Sequence, residues 1–189
     1  MKASRDDPGG DAAPSNEEHM RDAGARPSSA RPAQGVRLIA DGMLGRLAKA
    51  LRMLGFDVAY DPFIDDRELI RRAAAEGRVL LTRDTGLVCR RDLPPHVFVR
   101  SDHVPEQLAQ VAREADLQLD ARGTLTRCTV CNGPLDMADR ESVRGEVPPY
   151  VYQTQREFAR CPGCGRIYWR GTHVERMRRR IEQLLSEGT

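Results

Sequence analysis

Three apolar runs in this chain end the same way, on an aspartate, and that repetition constrains the fold more than any other feature. Val36-Arg37-Leu38-Ile39-Ala40 leads into Asp41, Arg78-Val79-Leu80-Leu81-Thr82-Arg83 into Asp84, and Val97-Phe98-Val99-Arg100-Ser101 into Asp102. Short runs of branched residues read as strands covered on both faces, the condition of a parallel sheet. Between them the apolar residues change to helical spacing. Met43, Leu44, Leu47, Ala48, Leu51 and Leu54 run up to Gly55, Leu69, Ile70, Ala73 and Ala74 run up to Gly77, and Leu108, Val111, Ala112 and Ala115 follow Pro105. Strand and helix thus alternate from Val36 to about Leu117, which predicts an α/β domain with a parallel sheet, flanking helices and right-handed crossovers. In such a sheet the crevice beyond the carboxyl ends of the strands binds ligands. The aspartates are therefore expected to meet there, and crowded carboxylates repel one another unless a divalent cation joins them.

Other residues of this stretch have specific expectations. Phe56 to Tyr60 reads as a second strand, and Asp65 with Glu68 three residues on matches a capping box. That explains Asp65 structurally and leaves Asp66 as the freer of the pair. A short helix is expected from Thr85 to Arg91. On the first helix Arg46, Lys49 and Arg52 lie opposite the apolar stripe, where a solvated face is the plain reading. Arg46, in the first turn close behind Asp41, could reach a phosphate at the crevice.

After Arg127 the character changes. Cys128-Thr129-Val130-Cys131 and Cys161-Pro162-Gly163-Cys164 are two C-x-x-C knuckles, and together they supply the four thiolates of a tetrahedral zinc ribbon. With all coordination positions filled by sulfur, such a site is structural rather than catalytic. β-type segments are expected around Tyr150 to Tyr152 and Arg166 to Trp169. Cys89, the remaining cysteine, reads as a buried or inert thiol. Thr172 and Glu175 match another capping box and open a last helix bearing Arg176, Arg178, Arg179 and Arg180. Together with Arg160, Arg166, Tyr168, Trp169 and Arg170 this combines cations with aromatic faces, as nucleic-acid surfaces do. A solvated helix beside core aromatics is the competing reading.

The organisation follows. Residues 1–35 are rich in Asp, Pro, Gly, Ser, Ala and Arg with few large apolar side chains, and are expected to form a disordered tail. An α/β domain over 36–120 and a ribbon with its basic helix over 125–189 complete the chain. No apolar run approaches the roughly 20 residues of a membrane span, and the start lacks the apolar core of a signal peptide. A cytoplasmic protein with no membrane association is expected, which also favours metal over disulfides for the paired cysteines. Net charge is only +2, but nearly all the positive charge is arginine, Lys2 and Lys49 being the only lysines.

Several of these segments occur in the order seen in one known family. Ile39-Ala40-Asp41-Gly42-Met43-Leu44-Gly45-Arg46-Leu47-Ala48, Leu51-Arg52-Met53-Leu54-Gly55, Leu80-Leu81-Thr82-Arg83-Asp84, Glu106-Gln107-Leu108, the two knuckles, and Tyr168-Trp169-Arg170-Gly171-Thr172-His173 resemble the Mut-seven C-terminal ribonuclease domain family from about Val36 onward. The resemblance implies a PIN-like nuclease fold carrying a C-terminal zinc ribbon, and a metal-dependent ribonuclease acting on RNA. Its acidic cluster falls on Asp41, Asp84 and the Asp65-Asp66 pair, with Asp102 a further candidate, holding Mg²⁺ or Mn²⁺. Asp41 and Asp84 are then the principal ligands, Asp66 orients a metal or its water, and Arg46 and Arg83 steady the phosphate. Two other classes compete. One is a non-catalytic RNA-binding zinc-ribbon protein. The other is a phospho-accepting receiver, disfavoured because Asp41 stands alone on its strand and no lysine follows Lys49.

Overall fold

The computed structural model describes residues 35–118 and 126–187. The tail expected over 1–35 lies almost wholly outside the described residues. Four strands, β1 (Leu38–Ala40), β2 (Val58–Tyr60), β3 (Val79–Thr82) and β4 (His96–Phe98), form one parallel sheet in the order β2-β1-β3-β4. The connecting helices are α1 (Gly45–Met53), α2 (Asp66–Glu76), the short α3 (Thr85–Val88) and α4 (Val104–Glu114). The parallel α/β sheet expected from the sequence is what the chain forms.

β1, β2 and β3 are short but buried on both faces, which is why they read as unbroken apolar runs, while the edge strand β4 exposes His96. Leu38 and Ala40 on β1, with Leu81 and Val97, belong to one core cluster with Leu47 and Leu51 of α1 and Leu108 and Val111 of α4. Ile39 and Leu80, one residue out of phase, join Leu69, Ile70 and Ala73 of α2 and Leu87 of α3 on the other side. Side chains alternate across a strand, so β1, β2 and β3 each supply both layers, while β4 gives Val97 to the first. Gly77 ends α2 in the left-handed conformation, φ 59°, that favours glycine there.

The knuckle region forms an antiparallel sheet of β5 (Asp136–Ala138), β6 (Phe158–Arg160) and β7 (Ile167–Trp169). Between the knuckles the chain folds on itself, burying Val143, Val147 and Phe158. Residues 149–154 are here a helix, α5 (Pro149–Thr154), where the sequence suggested a strand around Tyr150 to Tyr152. The two prolines Pro148 and Pro149 preset the backbone for a helix start and lack the N–H groups a strand would need.

The last helix, α6 (Thr172–Glu187), returns from this sheet to the main domain and packs on α4, with Ile181 fully buried in the same cluster as Leu38 and Leu108. The small sheet is also tied down directly. Arg52 of α1, expected on a solvated face, is only 5% exposed. Its guanidinium donates to the carbonyls of Val58, Thr129 and Val130 at 2.9, 3.3 and 2.8 Å. Beside it Asn132 donates to Asp57 at 2.7 Å and accepts from the Val58 N–H at 3.1 Å. Arg78 and Arg127 pair with the same Asp57 at 2.8 and 3.3 Å. All of this sits at the amino-terminal end of the parallel strands.

Candidate active site at the carboxyl ends of the strands

At the opposite end, β1 leads leftward through α1 to β2, whereas β3, reached through α2, lies on its right. Neighbouring strands that leave in opposite directions open a crevice between their carboxyl ends. Asp41 and Asp84 stand on either side of it. Because Ala40 is paired with Leu81, Asp41 lies level with Thr82 and Asp84 follows two residues later.

One buried hydroxyl connects them. Thr82 Oγ1 donates to Asp41 Oδ2 at 2.7 Å and accepts from the Asp84 N–H at 3.0 Å. Asp41 Oδ1 accepts from the Met43 N–H at 3.3 Å, at the head of a 3-10 turn, Gly42–Leu44, that runs into α1. Asp84 caps α3, its Oδ1 accepting from the Gly86 and Leu87 N–H groups at 2.7 and 3.2 Å. Oδ2 of Asp84 has no hydrogen bond among the described residues. Both carboxylates are half-exposed, and the cap reading is compatible with a ligand reading: Asp84 keeps Oδ2 open, and each Asp41 oxygen accepts one hydrogen bond and retains a further lone pair.

Two glycines let the neighbouring loop close on this corner. A side chain at Gly45 would place its Cβ 2.5 Å from the Tyr60 hydroxyl, and one at Gly42 would come 3.0 Å from the Pro62 carbonyl. Tyr60 instead donates to the Gly42 carbonyl at 3.0 Å, fixing the end of β2 against the residue after Asp41. From there a turn leads to α2. Asp65 is its N-cap, accepting from the Glu68 N–H at 2.9 Å. The reciprocal half of the capping box does not form, because Glu68 pairs with Arg71 at 2.6 Å. Asp66 is exposed and makes no hydrogen bond among the described residues, and its charge acts on Arg90 beyond α3.

The two arginines differ. Arg46, exposed in the first turn of α1, has no ion-pair partner among the described residues. Arg83 is bound to Asp102 and reaches the Arg100 carbonyl. Asp102 therefore holds Arg83 in place from the segment after β4. Cys89 is an exposed thiol, not a buried one, because α3 stops at Val88, short of the expected Arg91.

The thiolates make the second centre. Among the described residues the one set of three or more candidate ligands with all ligand atoms within 4.8 Å of one another is Cys128, Cys131, Cys161 and Cys164. Cys128 Sγ lies 3.6 Å from Cys164 Sγ, and Cys131 Sγ lies 3.4 Å from Cys161 Sγ. Four sulfurs at about 2.3 Å from a tetrahedral zinc would be about 3.8 Å apart, so the donor set fits the ion in number, chemistry and spacing. Burial would raise the Cys128 thiol, but the Cys131 N–H and the Tyr168 hydroxyl, 3.0 Å away, bring it down to about 6. Although the Gly133 N–H favours its thiolate, Cys131 is pushed up by the sulfurs of Cys161 and Cys128. That mutual repulsion is what a cation in the centre removes. The side chains of His173, Glu175 and Arg178 lie outside the described residues.

The model of the Mut7-C RNAse domain matches residues 36–181. The chain belongs to the Mut7-C RNAse domain family. The match runs from Val36, two residues before β1, to Ile181 on α6, so it spans the acid crevice and the thiolate quartet of this Mut7-C domain alike. No curated protein and no solved structure matches the chain. No helix among the described residues of the Mut7-C domain is long and apolar enough to cross a membrane.

Sequence reasoning missed Thr82, which sits in the same run as Asp84 and looks like any β-branched strand residue. Its signal was available: a lone hydroxyl at the end of an apolar triplet, two residues before an acid, in a position the pairing would bury.

Proposed function

We propose that this protein is a metal-dependent ribonuclease that hydrolyses RNA phosphodiester bonds at the crevice between β1 and β3, with zinc in the thiolate quartet as a structural ion. The observation that carries the reading is the Asp41–Thr82–Asp84 link at the switch point of a parallel sheet, in a chain of the Mut7-C RNAse domain family. A protein that only bound RNA would have no use for two carboxylates there, since they repel phosphate.

The donor set is all oxygen, which suits Mg²⁺ or Mn²⁺. Bound there, such an ion neutralises the non-bridging oxygens and lowers the pKa of water. Asp41 and Asp84 are its main ligands in this reading, through the faces left open by their backbone hydrogen bonds. Thr82 keeps the Asp41 carboxylate turned toward Asp84. Asp66 enters from the α2 side to accept a proton from the attacking water or to orient it, while Asp65 serves as the cap beneath it. Arg46 contacts a phosphate oxygen, and Arg83, steadied by Asp102, takes a second one. The small sheet and α6 add RNA-binding surface, and the action is cytoplasmic.

The test replaces Asp41 and Asp84 singly with Asn and follows cleavage of a single-stranded RNA with Mg²⁺ or Mn²⁺. Asn keeps the cap at both positions, so folding is retained. Loss of cleavage in both variants is expected, and undiminished cleavage in both would remove the assignment.

A further inference from the structure

Between the outer face of α1 and the small sheet lies a cleft of about 430 Å³, lined by Lys49, Thr129, Val130, Arg166 and Trp169 among others. Its charge is one-sided. Lys49 and Arg166 are exposed and have no ion-pair or hydrogen-bond partner among the described residues. The one carboxylate on its wall, Glu146, is taken by Arg160 at 2.8 Å. Trp169 packs on the Val143–Phe158 cluster and gives the cleft its remaining surface. Tyr168 also lines it, but its hydroxyl is committed to Cys128. Two uncompensated cations beside a half-buried indole suit an anion with a flat π-face, and the volume is in the range of small-ligand sites.

The cleft is also in line with the acid crevice. Lys49 is three residues after Arg46, so both project from one side of α1, about 4.5 Å apart along its axis. Arg52, the next residue in that row, clamps the Thr129 and Val130 carbonyls and so holds the cleft wall against the helix. From Asp41 the row runs Arg46, Lys49, then Arg166 and Trp169 across the cleft.

We propose that this cleft is a subsite for single-stranded nucleic acid, with a base against Trp169 and phosphates at Lys49 and Arg166, and that the strand continues along α1 past Arg46 to the acids. The direction of the strand rests on the nuclease reading above; the subsite itself does not. A strand several nucleotides long then binds much more tightly than a mononucleotide, since only the strand spans both ends.

Trp169 is the chain's single tryptophan, so its fluorescence reports the cleft directly. The full chain, in buffer without added divalent cation, is titrated with a 12-nucleotide oligouridylate, with UMP and with inorganic phosphate. The 12-mer is expected to quench Trp169 at a concentration at least about 100-fold below that needed for UMP. In K49E/R166E, which alters exposed and unpaired side chains, the unfolding temperature should stay the same. Its affinity for the 12-mer should fall at least tenfold, and its salt slope should shrink by about 1.4, the loss of two phosphate contacts on a single strand. A 12-mer that binds without changing Trp169 emission, or equally to K49E/R166E, overturns the proposal. UMP binding as tightly as the 12-mer also overturns it, in favour of a mononucleotide site. Quenching that persists when Asp41→Asn fails to reduce cleavage leaves the subsite standing and removes only the acid assignment.

Discussion

The two ends of the parallel sheet use charged residues in opposite ways. At the amino end Arg52, Asp57, Arg78 and Arg127 are buried or nearly so, and each is matched by a partner: carbonyls for Arg52, and for Asp57 two guanidinium groups and the Asn132 amide. At the carboxyl end Asp41 and Asp84 are half-exposed and Asp66 is exposed, and all three keep acceptor capacity: one further lone pair on each Asp41 oxygen, Oδ2 of Asp84, and the whole Asp66 carboxylate. The difference separates structure from chemistry. Charges that hold two units together must be satisfied, because a buried unpaired charge is costly, whereas charges that act on a ligand must keep capacity in reserve.

The largest expected effect breaks the amino-end side of this contrast at its source. Cys161→Ser leaves three thiolates in the quartet, and structural zinc sites of this kind contribute about 10 kcal/mol or more to folding. Metal content by atomic absorption should fall from one zinc per chain, and the small sheet should lose its cooperative unfolding in calorimetry. Arg52→Met should follow, at about 3 kcal/mol, because it removes the donor to three carbonyls, that of Val58 buried and those of Thr129 and Val130 partly so. Urea unfolding measures it, and nuclease activity at low temperature should be retained.

At the carboxyl end the expectation inverts. Asp41→Asn should leave stability within about 0.5 kcal/mol yet lower cleavage at least about 100-fold, since even outer partners of metal ligands are worth 10- to 100-fold. Thr82→Val sharpens the comparison, because Thr82 belongs to both sides: it is fully buried and it orients an acid. It should cost about 1–3 kcal/mol for the unsatisfied Asp84 N–H and about tenfold in cleavage.

The smallest effect is a pH dependence at the amino end. Burial alone would raise the Asp57 carboxyl, but the Arg78 and Asn132 hydrogen bonds and the Arg127 charge outweigh it and hold the group below its usual 3.8. A depressed folded value means stability that is fully present above 3.8 and lost as pH falls through the lower folded value. The unfolding temperature of the native chain relative to Asp57→Asn should therefore be flat from neutral pH to about 5 and converge only below about 4.

How much of this could be read from the sequence depends on how local each interaction is. The strands, the helices facing them and the acids at their ends follow from periodicities of a few residues, and the thiolate quartet from two short spacings. Arg52 could not be read so: its place on the polar side of α1 is true of the helix alone, and its partners Thr129 and Val130 come from a distant segment. Ala74, counted with the apolar face of α2, is exposed, whereas Ala73 beside it is fully buried against the sheet. The Pro148-Pro149 pair outweighed the aromatic residues after it and made a helix. Thr82 was hidden because strand pairing, not sequence distance, brings it beside Asp41.

The account depends most on a hard cation settling between Asp41 and Asp84. Electron paramagnetic resonance of Mn²⁺ added to the zinc-loaded protein tests this without any RNA, since bound Mn²⁺ loses the sharp signal of the free ion. The native chain should bind Mn²⁺, and both Asp41→Asn and Asp84→Asn should lose that binding while remaining folded. Equal Mn²⁺ binding by all three proteins would contradict the account.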